Sequence, residues 1–113
     1  DLDAMSQAAE EFKGTHDYAA FMATGSPVRS TVRTIYESKL IQEERLLHFI
    51  VTGNGFLYNM VRIMAGTLID VGKGKISANE IPDILDSKER EKAGATAPAN
   101  GLILEEVYYH NTY

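Results

Sequence analysis

The pattern of hydrophobic and polar positions in the first half of the chain predicts one helix followed by a β-hairpin. Apolar residues recur at helical spacing in residues 1–13, and a glycine follows as a stop signal. Residues 30–41 and 46–52 have the β-branched and aromatic composition of strands, with polar residues 42–45 between them. A short polar connection of this kind joins neighbouring strands into an antiparallel hairpin.

The most strongly patterned stretch is residues 53–74, a long apolar run with glycines at both ends. On a helix, one stripe of this run faces the core and consists of Leu57, Met60, Met64, Leu68 and Val71. The opposite side carries Arg62 beside the small residues Ala65 and Gly66, which allow another backbone or a flat ligand to approach closely. Because a buried unpaired arginine is costly, Arg62 predicts either a carboxylate or phosphate partner, or a rim position with its head group in water.

The end of the chain predicts a short helix and a final strand. Residues 77–86 begin with Ser77 as N-cap and Glu80 three residues later, which is a capping box, and residues 102–109 have strand composition. The order of elements predicts an α+β fold, with helices packed on one face of an antiparallel β-sheet, in a single domain over residues 1–113. Three strands leave exposed edges, so we expect further strands from a part of the protein outside this chain.

Composition and charge narrow the classes of protein and site. The chain has 113 residues and 44% hydrophobic residues, enough for one globular domain with a core. It has no cysteine, which excludes disulfides and thiolate metal sites. The sequence shows neither a signal-peptide pattern nor an apolar segment of membrane-spanning length, so we expect a cytoplasmic protein without membrane contact. The net charge of −5 disfavours RNA binding by this chain alone.

Other candidate sites have weak signals. His16 and Asp17 are adjacent, so in regular structure they do not face each other, and a turn aspartate beside a surface histidine is the favoured interpretation. Residues 53–55 follow a strand and precede a helix, but their spacing matches neither the dinucleotide fingerprint nor the P-loop. His48 has no second histidine or cysteine at ligand spacing, which favours a structural histidine with satisfied hydrogen bonds over a metal ligand.

Several segments, in the right order, resemble the tRNA pseudouridine synthase A family. Residues 55–76, GFLYNMVRIMAGTLIDVGKGKI, are similar to a motif in the C-terminal half of that enzyme. Residues 96–109, TAPANGLILEEVYY, look like the segment that ends its catalytic domain. Residues 14–21 and 26–38, GTHDYAAF and SPVRSTVRTIYES, are similar to the part that precedes its hairpin. The resemblance therefore covers nearly the whole chain.

The resemblance implies a function and a set of partners. The family isomerises uridine to pseudouridine in the anticodon arm of tRNA, needs no cofactor or metal, and works as a homodimer. Its fold has two similar α+β halves that share one sheet, with the catalytic cleft between them. The catalytic aspartate belongs to a Gly-Arg-Thr-Asp motif of the N-terminal half, and this motif does not occur here. The chain therefore resembles the C-terminal half without its nucleophile, with tRNA and the N-terminal half as partners.

The resemblance also implies roles for particular residues. Arg62 falls at the family arginine that pairs with the catalytic aspartate, and a bidentate pair would hold that carboxylate ionised and aimed. Leu102 looks like the residue that packs against the target base. The small residues 96–101 leave room for a nucleotide taken out of its stack. The expected substrate contacts are Leu102, Tyr58, Thr96, Ala97 and Gly101, and the expected contacts with the tRNA backbone are Arg29, Arg33, Lys73 and Lys75.

Three functional hypotheses follow from the sequence. The first is an RNA-modifying isomerase represented by its C-terminal half, and the second is a non-catalytic module for RNA binding or dimerisation. The third is a small-molecule enzyme built on His16, Asp17 and residues 53–55, which lacks a convergent set of catalytic groups. A Gly-Arg-Thr-Asp motif encoded upstream of Asp1 would distinguish the first from the second.

Overall fold

The secondary structure follows the predicted order, with one additional strand. A computed structural model of the chain describes residues 1–25, 27–97 and 103–108, with only the backbone of Tyr108. The helices are α1 (Leu2–Glu10), α2 (Met60–Gly72) and α3 (Ile81–Ser87), and the strands are β1 (Gly14–Asp17), β2 (Val32–Glu43), β3 (Leu46–Gly53) and β4 (Ile103–Tyr108). Single 3₁₀ turns occur at Ala19–Phe21, Ala78–Glu80 and Arg90–Lys92.

The described strands form one mixed sheet in the order β1-β2-β3-β4. The hairpin of β2 and β3 is antiparallel as predicted, whereas β4 runs parallel to β3. The α+β class is confirmed, and the sheet differs from the predicted antiparallel one in this last pair. The connection explains the difference, because the chain crosses over through α2 and α3 before it returns to the sheet, and such a crossover brings the next strand back parallel.

The additional strand β1 pairs antiparallel with β2, with Gly14 opposite Ile35. Its four residues are polar and show no alternation, so their pattern does not predict a strand. His16 and Asp17 lie in this strand and bond separately. His16 Nε2 lies 2.9 Å from the Lys13 carbonyl oxygen, and Asp17 Oδ1 accepts the Ala19 N–H at 3.0 Å. Asp17 is therefore the turn aspartate that the sequence predicts, and the pair forms no dyad.

The core lies between the sheet and the helices. The predicted core stripe, which begins at Leu57 before α2 and continues along the helix, is confirmed. None of its five side chains is more than 4% exposed. It packs in one cluster with side chains from α1 and the sheet, including Met5, Ala8, Ala9, Ile35, Phe49 and Val51. Because buried apolar area is the main source of folding free energy, α2 is the central element of the chain.

Tyr18 connects the end of α1 to this core. Its side chain is fully buried, and its hydroxyl donates to the carbonyl oxygens of Phe12 at 2.6 Å and Gly14 at 3.0 Å. Phe12 in turn packs edge-on against Phe21, with ring centroids 5.1 Å apart. Burial raises the pKa of the Tyr18 hydroxyl well above its ordinary value, so the neutral donor is favoured.

The predicted capping box of the short helix is not formed. Ser77 Oγ bonds to Asn79 Oδ1 at 2.7 Å and makes no cap bond to the backbone. A 3₁₀ turn comes first, and α3 begins at Ile81 with Pro82 in its first turn. Proline is favoured in a first turn because its missing N–H has no intrahelical partner there, so the helix begins later than predicted.

The face of the sheet opposite the helices, called the outer face here, carries exposed apolar side chains at Ile41, Leu46, Ile103 and Val107. On this face His48 Nδ1 lies 3.1 Å from Glu105 Oε2. Its Nε2 is buried without a hydrogen-bond partner in the part of the chain that the structure describes. The predicted structural histidine therefore has a hydrogen-bond partner at Nδ1 and lacks one at Nε2 among the described residues. Apolar surface of this kind is typical of contact with further protein.

We expect Tyr18→Phe to lower the free energy of unfolding by about 1–3 kcal/mol, because the buried carbonyl of Phe12 loses its donor. Tyr58→Phe is the matched control, since the Tyr58 side chain is 67% exposed. Urea unfolding followed by circular dichroism measures both variants. Equal stabilities of the Tyr18→Phe variant and the wild type would contradict the role given to this hydroxyl.

The same pair of variants tests the raised pKa of Tyr18. A folded-state pKa above the unfolded one contributes stability that is complete below about pH 10, the ordinary tyrosine pKa, and is lost as the pH rises further. The wild type should therefore lose stability more steeply than Tyr18→Phe above that pH, and parallel pH profiles would contradict this.

Candidate functional site

The start of α2 sets the position of Arg62. Before the helix, Asn54 Oδ1 accepts the backbone N–H of Thr34 at 3.0 Å, which ties the turn to β2. Asn59 then adopts the left-handed conformation, with φ of 58°, and its carbonyl accepts the N–H of Ile63 at 2.9 Å. Asparagine tolerates this conformation better than most residues. The helix therefore begins at Met60 and carries the partly buried Arg62 in its first turn.

Residues 94–97, called the 94–97 segment, run along α2 and bond to it at both ends. The Ala97 N–H donates to the Arg62 carbonyl oxygen at 3.0 Å, and Arg62 Nη2 donates to the Ala97 carbonyl oxygen at 2.9 Å. At the other end the Gly94 N–H donates to Thr67 Oγ1 at 2.8 Å, and the Thr67 hydroxyl donates to the Ile63 carbonyl oxygen at 2.9 Å. The segment is thus held by backbone and side-chain bonds together.

The segment and the helix are in backbone contact. A Cβ atom on Gly66 would overlap the carbonyl oxygen of Ala95, and one on Gly94 would lie 2.8 Å from Thr67 Cα. Glycine is needed at both positions for this close approach. The prediction that small residues beside Arg62 admit another backbone is confirmed. Among the described residues the partner of the Arg62 side chain is a carbonyl oxygen, and no carboxylate lies within ion-pair distance.

A small cavity of about 150 Å³ opens between α2 and the 94–97 segment. Its lining residues are Gly66, Ile69, Asp70, Lys73, Ala95, Thr96 and Ala97. The structure therefore brings three predicted site residues, Lys73, Thr96 and Ala97, to one surface next to the segment that Arg62 holds. The lining combines the carboxylate of Asp70, the ammonium of Lys73 and small side chains.

Two other predicted site residues lie at the turn that leads into α2, and a third lies in the loop before β2. Tyr58 is 67% exposed and precedes the helix by two residues. Arg33 lies beside Gly55, and its Nη1 donates to the carbonyl oxygens of Ser30 at 2.8 Å and Val32 at 2.7 Å. Arg29 is exposed in the loop before β2. Arg33 is thus partly occupied in holding its own loop, whereas Tyr58 and Arg29 face solvent.

The remaining predicted residues are Lys75 and two residues outside the described ranges. Lys75 is exposed just beyond the C-terminal end of α2, and its backbone N–H donates to the Asp70 carbonyl oxygen at 2.9 Å. Gly101 and Leu102 lie outside the described residues, so their predicted contacts with the target base stay predictions.

The sequence did not predict the roles of Thr67 and Gly94 in seating the segment. Glycine inside a helix destabilises it by about 1 kcal/mol relative to alanine, so Gly66 in mid-helix signals close packing at that position, whereas Thr67 has no signal of its own. Gly94 has no such signal, because it lies in a loop of small residues.

Within residues 1–25, 27–97 and 103–108, no three or more His, Asp and Glu residues cluster so that they could hold a metal ion. None of the described helices is long and apolar enough to cross a membrane.

Comparison with known proteins identifies the family. The profile of the tRNA pseudouridine synthase family matches residues 8–110, nearly the whole chain. The chain therefore belongs to the tRNA pseudouridine synthase family. It is 53% identical over 109 residues to tRNA pseudouridine synthase A of Acetivibrio thermocellus, covering 96% of this chain and 45% of that protein.

Two further relatives carry the same name. The enzyme of Ruminiclostridium cellulolyticum is 57% identical over 106 residues, covering 93% of this chain and 43% of the relative. That of Staphylococcus aureus strain MRSA252 is 47% identical over 108 residues, covering 96% and 41%. The chain thus spans less than half the length of the curated relatives it matches.

Proposed function

We propose that this chain is the C-terminal half of a tRNA pseudouridine synthase, which isomerises uridine to pseudouridine in the anticodon stem-loop of tRNA. The observation that carries the proposal is the hydrogen bond from Arg62 to the Ala97 carbonyl oxygen. It occurs in a chain that belongs to this family and is similar to proteins with this enzyme's name. The chain supplies one wall of the cleft, and the N-terminal half supplies the nucleophilic aspartate. No cofactor or metal takes part in the proposed reaction.

Arg62 has donors left for a carboxylate. A guanidinium has five N–H donors in a planar fork, and the described structure shows one bond, from Nη2 to Ala97. The Ala97 carbonyl fixes one end of the fork, so the remaining N–H groups can bind the aspartate in two parallel bonds. Such a pair keeps the aspartate ionised and oriented, and an ionised, oriented carboxylate is the better nucleophile.

The target uridine would occupy the space beside the 94–97 segment. We propose that Leu102 packs against the base and that Tyr58, Thr96, Ala97 and Gly101 complete the contacts. A base must leave its stack to reach such a pocket, and small lining residues provide the room. We propose that four cationic side chains contact the tRNA phosphates, and these are Arg29, Arg33, Lys73 and Lys75.

The proposal includes the assembly and its compartment. We propose a cytoplasmic homodimer of the full-length synthase, which means this chain joined to the N-terminal half that supplies the aspartate. The exposed apolar side chains of the outer face support further protein contact. The exposed apolar side chains also bear on the two alternative functions. They favour a non-catalytic dimerisation or RNA-binding module over a small-molecule enzyme.

The full-length synthase should sediment at twice the mass of its chain, because we expect apolar surface to be buried between two copies. Analytical ultracentrifugation at micromolar concentration measures the mass. A monomer mass across the concentration range would contradict the homodimer and leave the isomerase proposal standing.

This chain by itself should form no pseudouridine, because it lacks the nucleophile. Tritium release from tRNA labelled at uridine C5 measures turnover. The full-length synthase should release tritium, and the isolated chain should stay at the level without enzyme. Turnover by the isolated chain would contradict the assignment of the nucleophile to the other half, whereas an inactive full-length protein would favour the non-catalytic module.

Arg62→Ala in the full-length synthase should lower the single-turnover rate by about 100-fold or more, because the aspartate loses its charged partner. Affinity for tRNA should change little, and the free energy of unfolding should fall by about 1 kcal/mol. Arg62→Lys should recover only part of the rate, since an ammonium cannot form the planar two-bond pair. A near-normal rate in Arg62→Ala would make Arg62 a rim residue, and unfolding would make it structural.

A further inference from the structure

We infer that Gly66 and Thr67 are positioning residues, which orient the guanidinium of Arg62 by holding the 94–97 segment against α2. The inference rests on the proposed function, in which Arg62 binds the catalytic aspartate. Gly66 lines the cavity beside the segment, and neither residue is among the proposed contacts to the target base or the aspartate. They act through the Ala97 carbonyl, which accepts from Arg62 Nη2 at 2.9 Å.

Two anchors hold the segment, one at each end. Arg62 binds Ala97, and Thr67 binds Gly94. The two helix residues are five positions apart, which is about 7.5 Å along the axis, and three residue steps of chain can span this distance. Because only two residues lie between the anchored ends, we expect a displacement at Thr67 to reach Ala97.

Gly66 sits between the two anchors and sets the depth of the segment. A Cβ there would overlap the Ala95 carbonyl oxygen and lie 3.2 Å from the Ala97 nitrogen. Both contacts are with backbone atoms, which cannot rotate aside as a side chain does. A methyl group would therefore push the segment away from α2, together with the carbonyl to which Arg62 donates. The guanidinium would then lose the acceptor that fixes its plane.

Thr67 holds the other anchor through one buried hydroxyl. Its oxygen accepts from the Gly94 N–H at 2.8 Å, while its hydrogen goes to the Ile63 carbonyl at 2.9 Å. Valine at this position has the same shape and makes neither bond. Serine keeps the hydroxyl and loses one methyl group. The two substitutions therefore separate the hydrogen bonds from the volume of the side chain.

The first measurement is the single-turnover rate of Gly66→Ala in the full-length synthase, with tRNA affinity measured beside it. A misplacement of about 1 Å at a reacting group costs on the order of 100-fold in rate, and we expect a loss of this size with little change in affinity. Gly72→Ala is the matched control in the same helix. A Cβ on Gly72 would meet chiefly the flexible side chain of Met5, and we expect this variant to have the wild-type rate.

A double-mutant cycle distinguishes positioning from a general structural loss. If Gly66 acts through Arg62, Gly66→Ala should reduce the rate by less than about twofold when Arg62 is already alanine. The same factor in both backgrounds would overturn the inference. A wild-type rate for the single variant Gly66→Ala, with Arg62 intact, would overturn the inference as well.

Thr67→Val and Thr67→Ser provide the test if Gly66→Ala does not fold. The valine variant should lose about tenfold in rate and the serine variant should recover most of it, because the positioning bond is to the hydroxyl. A wild-type rate in Thr67→Val would overturn the positioning role. If the wild-type full-length protein forms no pseudouridine, the proposed function is wrong and the positioning role falls with it. An active wild type with a fully active Gly66→Ala variant overturns the positioning role alone.

Discussion

The contact of two backbones, between α2 and the 94–97 segment, is the constraint on which the rest of the structure depends. It requires the absence of a side chain at Gly66 and Gly94, since a Cβ on either would meet main-chain atoms of the other element. The contact covers the side of α2 that faces away from the core. It also directs the chain from the helical layer towards the sheet, where β4 joins β3.

This contact explains why α2 has no solvated face. Nine of its thirteen residues are buried, on the core stripe and on the opposite side. A helix buried all round gives up the usual place for charged residues, so its one arginine must find acceptors within the protein or in a partner. Arg62 finds one in the Ala97 carbonyl and keeps further donors. The same packing that stabilises the helix therefore holds a partly satisfied cation beside the 94–97 segment.

Several features within the described ranges suit contacts with further protein or RNA. The outer face exposes apolar side chains, His48 has a buried nitrogen without an acceptor or donor opposite it, and Arg62 has one described bond. The chain spans less than half the length of the curated relatives it matches, and exposed apolar surface of this kind is typical of contact with further protein. In the proposed function, the cleft between two halves would account for Arg62, and a second copy would account for the outer face.

The sequence alone determined the elements whose signals are local. The apolar stripe of α2, the hairpin of β2 and β3, and the small residues beside Arg62 are visible because neighbours at fixed spacing share one environment. Tertiary structure decided the rest. The polar strand β1 forms because β2 offers a free edge, and β4 runs parallel because the chain crosses over through two helices. The partner of Arg62 lies 35 positions away at Ala97, and Gly94 reaches Thr67 from 27 positions away. Such pairings have no periodicity in the sequence, because they depend on where the folded backbone brings distant segments together.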